Sequence, residues 1–295
     1  MPAARRRVLT TLLALGAWPC AGWAAASVRA RYAAFRAVET ALLEQDLDDS
    51  ARASLLAEAY ATLAPDGLAG LTPDELLLVF DAADRLCYLS KAPADARAMA
   101  AVLQALPGTP PPALLARTHA ALLSARLLAE AAAWRARYPH ARLSAPPLTG
   151  SVAPGTPAEL VLDARGSGLL LRPLPIGSGK QVIAIGHPDC HFCARFLAAL
   201  DADRDFGRAF AGRLHWLAPQ QRVLDLDALR RWNRQHPQAP LAIIYERSAV
   251  PMLTRWATPT FYFLQGAVVR TRLDGWPGLR AKPAMLAALQ ALDAA

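Results

Sequence analysis

From Val28 to about Tyr138 apolar residues recur every three or four positions, the spacing that lines one face of a helix. Val28, Tyr32, Phe35, Val38 and Leu42 form the first such stripe. Thr72-Pro73-Asp74-Glu75 reads as a helix start. The threonine can cap, proline fits the first turn without its missing N–H, and Glu75 can reach back to close the box. Cys87 follows Phe80 and Ala83 on the same face, so it is expected to pack as a small hydrophobe. One more helical pattern runs from about Pro112 to Tyr138, with Leu115, Leu122 and Trp134 among its apolar positions and His119, among those leucines, expected to be packed. No period repeats cleanly enough for a helical-repeat array. The expectation is a bundle of four or five helices.

The pattern breaks at SAPPLTGSVAPGTP, residues 144–157, where prolines, glycines and small polar residues mark a boundary. Beyond it the period shortens. AELVLDARGSGLLLRPLPI reads as two strands around a turn at Arg165–Gly168, and QVIAIG as a short buried strand. A strand at RLHWLA, a helix over about Leu224–Gln235, a strand near LAIIY, a hairpin at TFYFLQGAVVRTRL and a helix over about Leu279–Leu292 follow. Strands alternating with helices predict an α/β layered domain. The chain divides into a leader at 1–26, a helical domain at 27–143, a linker at 144–157 and an α/β domain at 158–295.

Composition adds two constraints. Of the 295 residues 54% are hydrophobic, enough for two domains with real cores. The net charge is +8, but residues 27–150 carry 12 basic and 13 acidic side chains while 151–295 carry 17 and 11. No basic run interleaved with aromatics suggests a nucleic-acid groove. The opening ARRRVLTTLLALGAWPCAGWAAAS has a basic start, an apolar stretch and small residues near Ala24 and Ala26. It reads as a secretory signal peptide, because the apolar run falls short of the roughly 20 residues of a spanning helix. Export, to a periplasm or a similar compartment, is the expectation, with Cys20 lost alongside the leader. The mature chain then holds Cys87, Cys190 and Cys193 in an oxidising compartment.

The chemistry gathers at GHPDCHFCARF, residues 186–196. The pair Cys190 and Cys193 directly follows a buried strand and opens a helix. With Cys190 at the cap, its sulfur faces unpaired N–H groups and the positive end of the helix dipole, which favours a thiolate. Cys193, one turn on, is placed to attack a mixed disulfide at Cys190. His191 and His187 can modulate the charge there, and Asp189 opposes it. A c-type haem site would need histidine where Ala194 stands. A zinc site would need two further ligands from His187, His191 or His215. A passive disulfide this short would stabilise little. Redox chemistry is the reading these spacings favour.

The pair, its strand-to-helix setting and Ala257-Thr258-Pro259-Thr260-Phe261-Tyr262-Phe263 together resemble the thioredoxin superfamily. The hairpin ending at Gly168, Gly179-Lys180, the Gly266 turn and Asp274-Gly275 are similar to its TlpA/redoxin branch. The resemblance covers residues of about 158–292 and implies a thioredoxin-like α/β domain preceded by an all-α domain. It further implies a cis peptide bond at Pro259 facing the cysteines, with the backbone of Thr258 open for an extended substrate to pair with. Protein thiols and disulfides would be the substrates, with no dissociable cofactor and a redox partner to reset the pair. Many relatives carry an acid six residues before the first cysteine, where this chain has Ala184. The direction of electron flow stays open. Two other functions remain: a binding or assembly module of an envelope complex on this scaffold, and a metal chaperone using the cysteine pair. The helical domain is expected to choose partners, by binding an envelope protein or by forming a homodimer.

Overall fold

A computed structural model describes residues 26–177, 179–220 and 224–294. The expected signal peptide therefore lies, but for its last residue, outside the described residues. Among the described residues six α-helices come first: α1 Val28–Leu43, α2 Asp49–Ala61, α3 Pro73–Ser90, α4 Pro93–Ala105, α5 Pro112–Ser124 and α6 Leu128–Arg137. No helix among the described residues is long and apolar enough to cross a membrane.

Local chemistry explains the helix starts. Ser27 caps α1 and Asp48 caps α2 through their side-chain oxygens, which accept N–H groups that otherwise lack partners. The capping box of α3 is complete, with Thr72 accepting from the Glu75 N–H and the Glu75 carboxylate accepting from the Thr72 N–H at 2.9 Å. Proline begins α4 and α5. The core of this half includes Phe35, Phe80, Cys87, Met99, Leu115, Leu122 and Trp134.

Where one helix was expected over Pro112–Tyr138 there are two, and among the described residues the helical half has six where four or five were expected. The break falls at Arg126, whose φ of 60° cannot continue a right-handed helix. Its guanidinium is buried, donating to the carbonyls of Tyr245 at 2.6 Å and Ile244 at 2.8 Å in the other half. A local pattern carries no trace of those long-range partners, so periodicity ran through the break.

The second half is built on one eight-stranded sheet in the order β1-β3-β2-β6-β5-β4-β7-β8. The strands are β1 Leu148–Thr149, β2 Ala158–Leu162, β3 Leu169–Pro173, β4 Lys180–Ile185, β5 Leu214–Ala218, β6 Leu241–Ile244, β7 Thr260–Gln265 and β8 Val268–Asp274. The helices of this half are α7 His191–Ala202, α8 Arg204–Phe210, α9 Leu226–Gln235 and α10 Lys282–Ala294. The proline-rich seam is more than a linker, because its residues 148 and 149 pair with the edge of β3.

Strands β4, β5 and β6 run parallel. Both crossovers step the same way along the sheet, so right-handed connections place their helices on one face. Val182 and Ala184 accordingly share a core with Cys193, Phe196, Phe206, Leu229, Trp232 and Leu289. Ile183 and Ile185 face the other way, with Leu217, Ile244, Val250, Leu253, Trp256 and Tyr262. With both faces covered, the central strands are mostly apolar on both sides rather than alternating, as in Val182–Ile185 and Leu241–Ile244.

Candidate active site

The site is assembled where β4 ends. Gly186 follows the strand, and a Cβ there would lie 2.5 Å from the Trp216 ring and 3.7 Å from the Cys193 sulfur. Only glycine lets the chain leave the sheet at this point without moving an aromatic side chain. His187, Pro188 and Asp189 turn the chain, with the Cys190 N–H donating to the His187 carbonyl at 3.0 Å. Cys190 is then the extended cap of α7, and its Sγ accepts the Cys193 N–H at 3.3 Å. That N–H is one of the orphan donors of a helix start, so sulfur at this position takes the part an aspartate or serine oxygen has elsewhere.

The two thiols differ in setting. Cys190 is half-buried and Cys193 is fully buried. Burial pushes the Cys193 thiol up, and its hydrogen bond with Cys190 adds to that, against a smaller opposing pull from the His187 backbone. Desolvation favours its neutral form. The helix is anchored one turn later by Phe196, whose ring lies 4.6–6.1 Å from those of Phe206, Phe210, Trp216, Phe261 and Trp276.

The opposite side of the site comes from the start of β7. Ile185 pairs with Thr260, so Pro259 lies just past the strand end where the cysteine loop begins. The Thr258–Pro259 bond is cis. Thr260 donates from its hydroxyl to the Ala257 carbonyl at 2.8 Å, and the Gly275 N–H donates to the Pro259 carbonyl at 2.8 Å. The Tyr262 hydroxyl accepts from the Arg255 N–H at 2.6 Å and donates to the Arg255 carbonyl at 2.8 Å. Arg255, Ala257 and Pro259, three of the five residues ahead of β7, are thus tied down from within the fold.

The flanking histidines behave differently from each other. His187 accepts the Asp189 N–H on Nδ1 at 3.2 Å, whereas the exposed His191 ring lies 3.9 Å from that of Phe192. His215 is engaged with the buried carboxylate of Glu159 at 2.6 Å, which also holds Arg172 at 2.7 Å. Among the described residues no three His, Cys, Asp or Glu side chains converge as metal ligands. Ala184 is fully buried between Trp216 and Phe261 in the register of the sheet.

A cleft of about 600 Å³ opens beside the loop that leads into the pair, lined by His187, Pro188, Asp189, Trp256 and Ala257, and from the helical half by Leu43, Tyr88 and Lys91. Sequence reasoning missed Trp256, Arg247 and all the helical residues of this cleft. Arg247 pairs with Asp49 at 2.5 Å, and its guanidinium sits 5.1 Å from the Trp256 ring centre. Partners some 200 positions apart leave no local signal.

No family model matches the chain and no curated protein matches it. Two solved structures are similar to it. One is the solution structure of a thioredoxin candidate from Neisseria meningitidis, at 14% identity and a TM-score of 0.30, over 48% of this chain and 93% of that one. The other is the crystal structure of a thioredoxin-like protein from Bacteroides caccae, at 13% identity and a TM-score of 0.31, over 81% of this chain and 82% of that one. Likenesses this distant carry no argument, and the connectivity of the chain carries the assignment instead. With the core strand order β5-β4-β7-β8, β7 antiparallel to its neighbours, a cysteine pair after β4 and a cis-proline before β7, the α/β half has a thioredoxin-like fold.

Proposed function

We propose that the protein is a thiol–disulfide oxidoreductase acting on cysteines of other proteins, with Cys190 as nucleophile and Cys193 as resolving thiol. The observation that carries this reading is the 3.3 Å hydrogen bond from the Cys193 N–H to the Cys190 sulfur beside a fully buried Cys193. Negative charge on Cys190 is stabilised by a fixed donor, while Cys193 stays protonated until its turn comes.

In the reducing direction the Cys190 thiolate attacks a substrate disulfide. A Cys190–substrate bond forms, the substrate S–S bond breaks, and one substrate thiolate leaves. Cys193 loses its proton and attacks Cys190, closing the 190–193 disulfide and releasing the second substrate thiolate. The substrate gains two electrons and the pair gives up two. A partner dithiol returns the pair to its reduced form, and the oxidising direction is the same sequence reversed. Thr258 and Pro259 border the loop and supply backbone for an extended substrate strand. His187 and His191, with water, are the proton acceptors near the pair, since Ala184 cannot serve. The N-terminal segment supports export to a compartment such as the periplasm, where these thiols would meet oxidised substrates.

The test combines two measurements on the mature protein. A Cys193→Ala variant is expected to accumulate mixed disulfides through Cys190, and the wild-type pair to equilibrate with a glutathione buffer at a defined potential. A pair that neither exchanges with glutathione nor traps a thiol refutes the reading.

A further inference from the structure

The cleft beside the cysteine loop has walls from both halves of the chain. One is made by His187, Pro188, Asp189, Trp256 and Ala257, next to Cys190 and Thr258. The other is Leu43 at the end of α1, with Tyr88 and Lys91 at the end of α3. Its volume, about 600 Å³, falls in the range of roughly 300–1,000 Å³ typical of pockets that bury a ligand.

The two walls are held together. Arg247 pairs with Asp49 at 2.5 Å, Arg255 with Asp46 at 3.2 Å, and the Asp49 N–H donates to the Thr254 carbonyl at 3.4 Å. These contacts fix the connection after Leu43, from Asp46 to Asp49, to the segment that leads into Thr258. Two large apolar side chains nevertheless face water on that wall, Leu43 at 74% and Tyr88 at 66% exposure. The Lys91 ammonium lies 4.6 Å from the Tyr88 ring centre, which restrains that ring at the rim. On the cysteine side Phe192 is exposed as well, at 39%.

Charge narrows the occupant. The lining carries Arg52, Lys91 and Arg247 against Asp49, Asp189 and Asp225, so no single sign dominates and nothing gathers a small multiply charged thiol. An apolar rim, a balanced lining and one end formed by His187–Asp189, the residues that run directly into Cys190, suit an uncharged stretch of polypeptide bearing a cysteine.

We propose that Leu43 and Tyr88 are specificity-determining residues, seating an apolar side chain of an extended polypeptide whose neighbouring cysteine meets Cys190. This rests on the redox reading of the pair. The helical half is then part of the substrate site and does more than recruit partners at a distance.

The experiment uses the full mature chain, reduced, with three disulfides. Two are synthetic peptides of equal charge with one intramolecular disulfide, differing only in Phe or Ser beside a cysteine; the third is glutathione disulfide. The wild type is expected to prefer the Phe peptide. Leu43→Ala and Tyr88→Ala, singly and together, are expected to reduce that preference, by about tenfold for the pair, as the loss of a hydrophobic subsite predicts. Glutathione disulfide should react at the wild-type rate throughout. Leu77→Ala, which removes another exposed side chain of α3 outside the cleft, should change none of the rates. An unchanged Phe-to-Ser ratio in the double variant overturns the inference and leaves the redox reading standing. A wild-type chain that exchanges with none of the three disulfides overturns both.

Discussion

Cys87 in the helical half and Cys193 in the sheet half are equally hidden, at 1% and 0% exposure, yet their surroundings differ in kind. Cys87 lies near the end of α3, among apolar neighbours such as Phe80 and Leu86. In a helix interior the backbone N–H groups are committed to carbonyls four residues back. Cys193 lies in the first turn of α7, where its own N–H is still free to bond the sulfur of Cys190. Burial alone makes a cysteine inert. A helix start with a second sulfur makes the same burial a device for holding one thiol protonated beside a more exposed one.

The largest expected effect follows from that contrast. Cys190→Ala should reduce thiol–disulfide exchange to the background rate, and Cys87→Ala should leave it at the wild-type level. Both can be read from turbidity or thiol release with a protein disulfide as substrate. Equal losses from the two substitutions would mean that the contrast between the settings has no chemical meaning.

Next in size is the seam between the halves. Arg247 and Asp49 are each about four-fifths buried, at 17% and 21% side-chain exposure. Arg247→Ala leaves the carboxylate without its partner, and removing one member of such a pair costs about 3–5 kcal/mol. Denaturant unfolding followed by circular dichroism is expected to show a lower midpoint and a split transition as the halves uncouple. An unshifted single transition would show that the halves are joined by other contacts.

Gly186→Ala should cost less, about 1–3 kcal/mol, the usual range for overpacking. The added methyl meets the Trp216 ring at 2.5 Å, and that ring packs against Phe196 of the redox helix. A glycine-to-alanine change at an open position such as Gly179, where nothing lies within 4 Å, provides the comparison. If thermal scans give both variants the same midpoint, the close approach at Gly186 is unimportant.

Legibility in the sequence tracked how local each cause was. The capping box at Thr72, the hairpin through Gly266 and the cap at Cys190 each depend on residues within a few positions, so pattern sufficed. The thioredoxin-like character of the second half was also readable, because strand, cysteine pair, helix and the ATPTF segment come in a fixed succession. The break at Arg126 was not, since it is stabilised by the carbonyls of Ile244, the last residue of β6, and of Tyr245 after it. The small strand at 148–149 was hidden among prolines for the same reason: its partner is an edge on the other side of the seam. The second wall of the cleft was the least visible part, made by Leu43 and Tyr88 from helices whose pattern announced only packing.

The smallest effect separates the halves by pH. In the helical half Asp81 joins α1, α3 and α5 by accepting from Tyr32 at 2.7 Å, Arg85 at 2.7 Å and Arg117 at 3.1 Å. Burial raises its carboxyl, but those hydrogen bonds outweigh it and bring the value down to about 2. An unfolded aspartate titrates near ~3.9. The folded state therefore gains from this group above about pH 4 and loses the gain as pH falls toward 2. Cys193 is shifted the other way, so its contribution is complete below the ordinary thiol range of about 8.5 and is lost at higher pH. Acid should weaken the helical half and alkali the sheet half. Asp81 is about a quarter exposed, at 28%, so solvent screening trims its share to ~1–2 kcal/mol. Asp81→Asn should destabilise the protein by that amount at pH 6, and the gap should narrow to about a third of it by about pH 2.5 and close only near pH 1, below the folded value of about 2. Thermal midpoints of the two proteins at pH 6 and 2.5 decide the matter. A gap that does not narrow in acid would mean that Asp81 acts through shape and not through its charge.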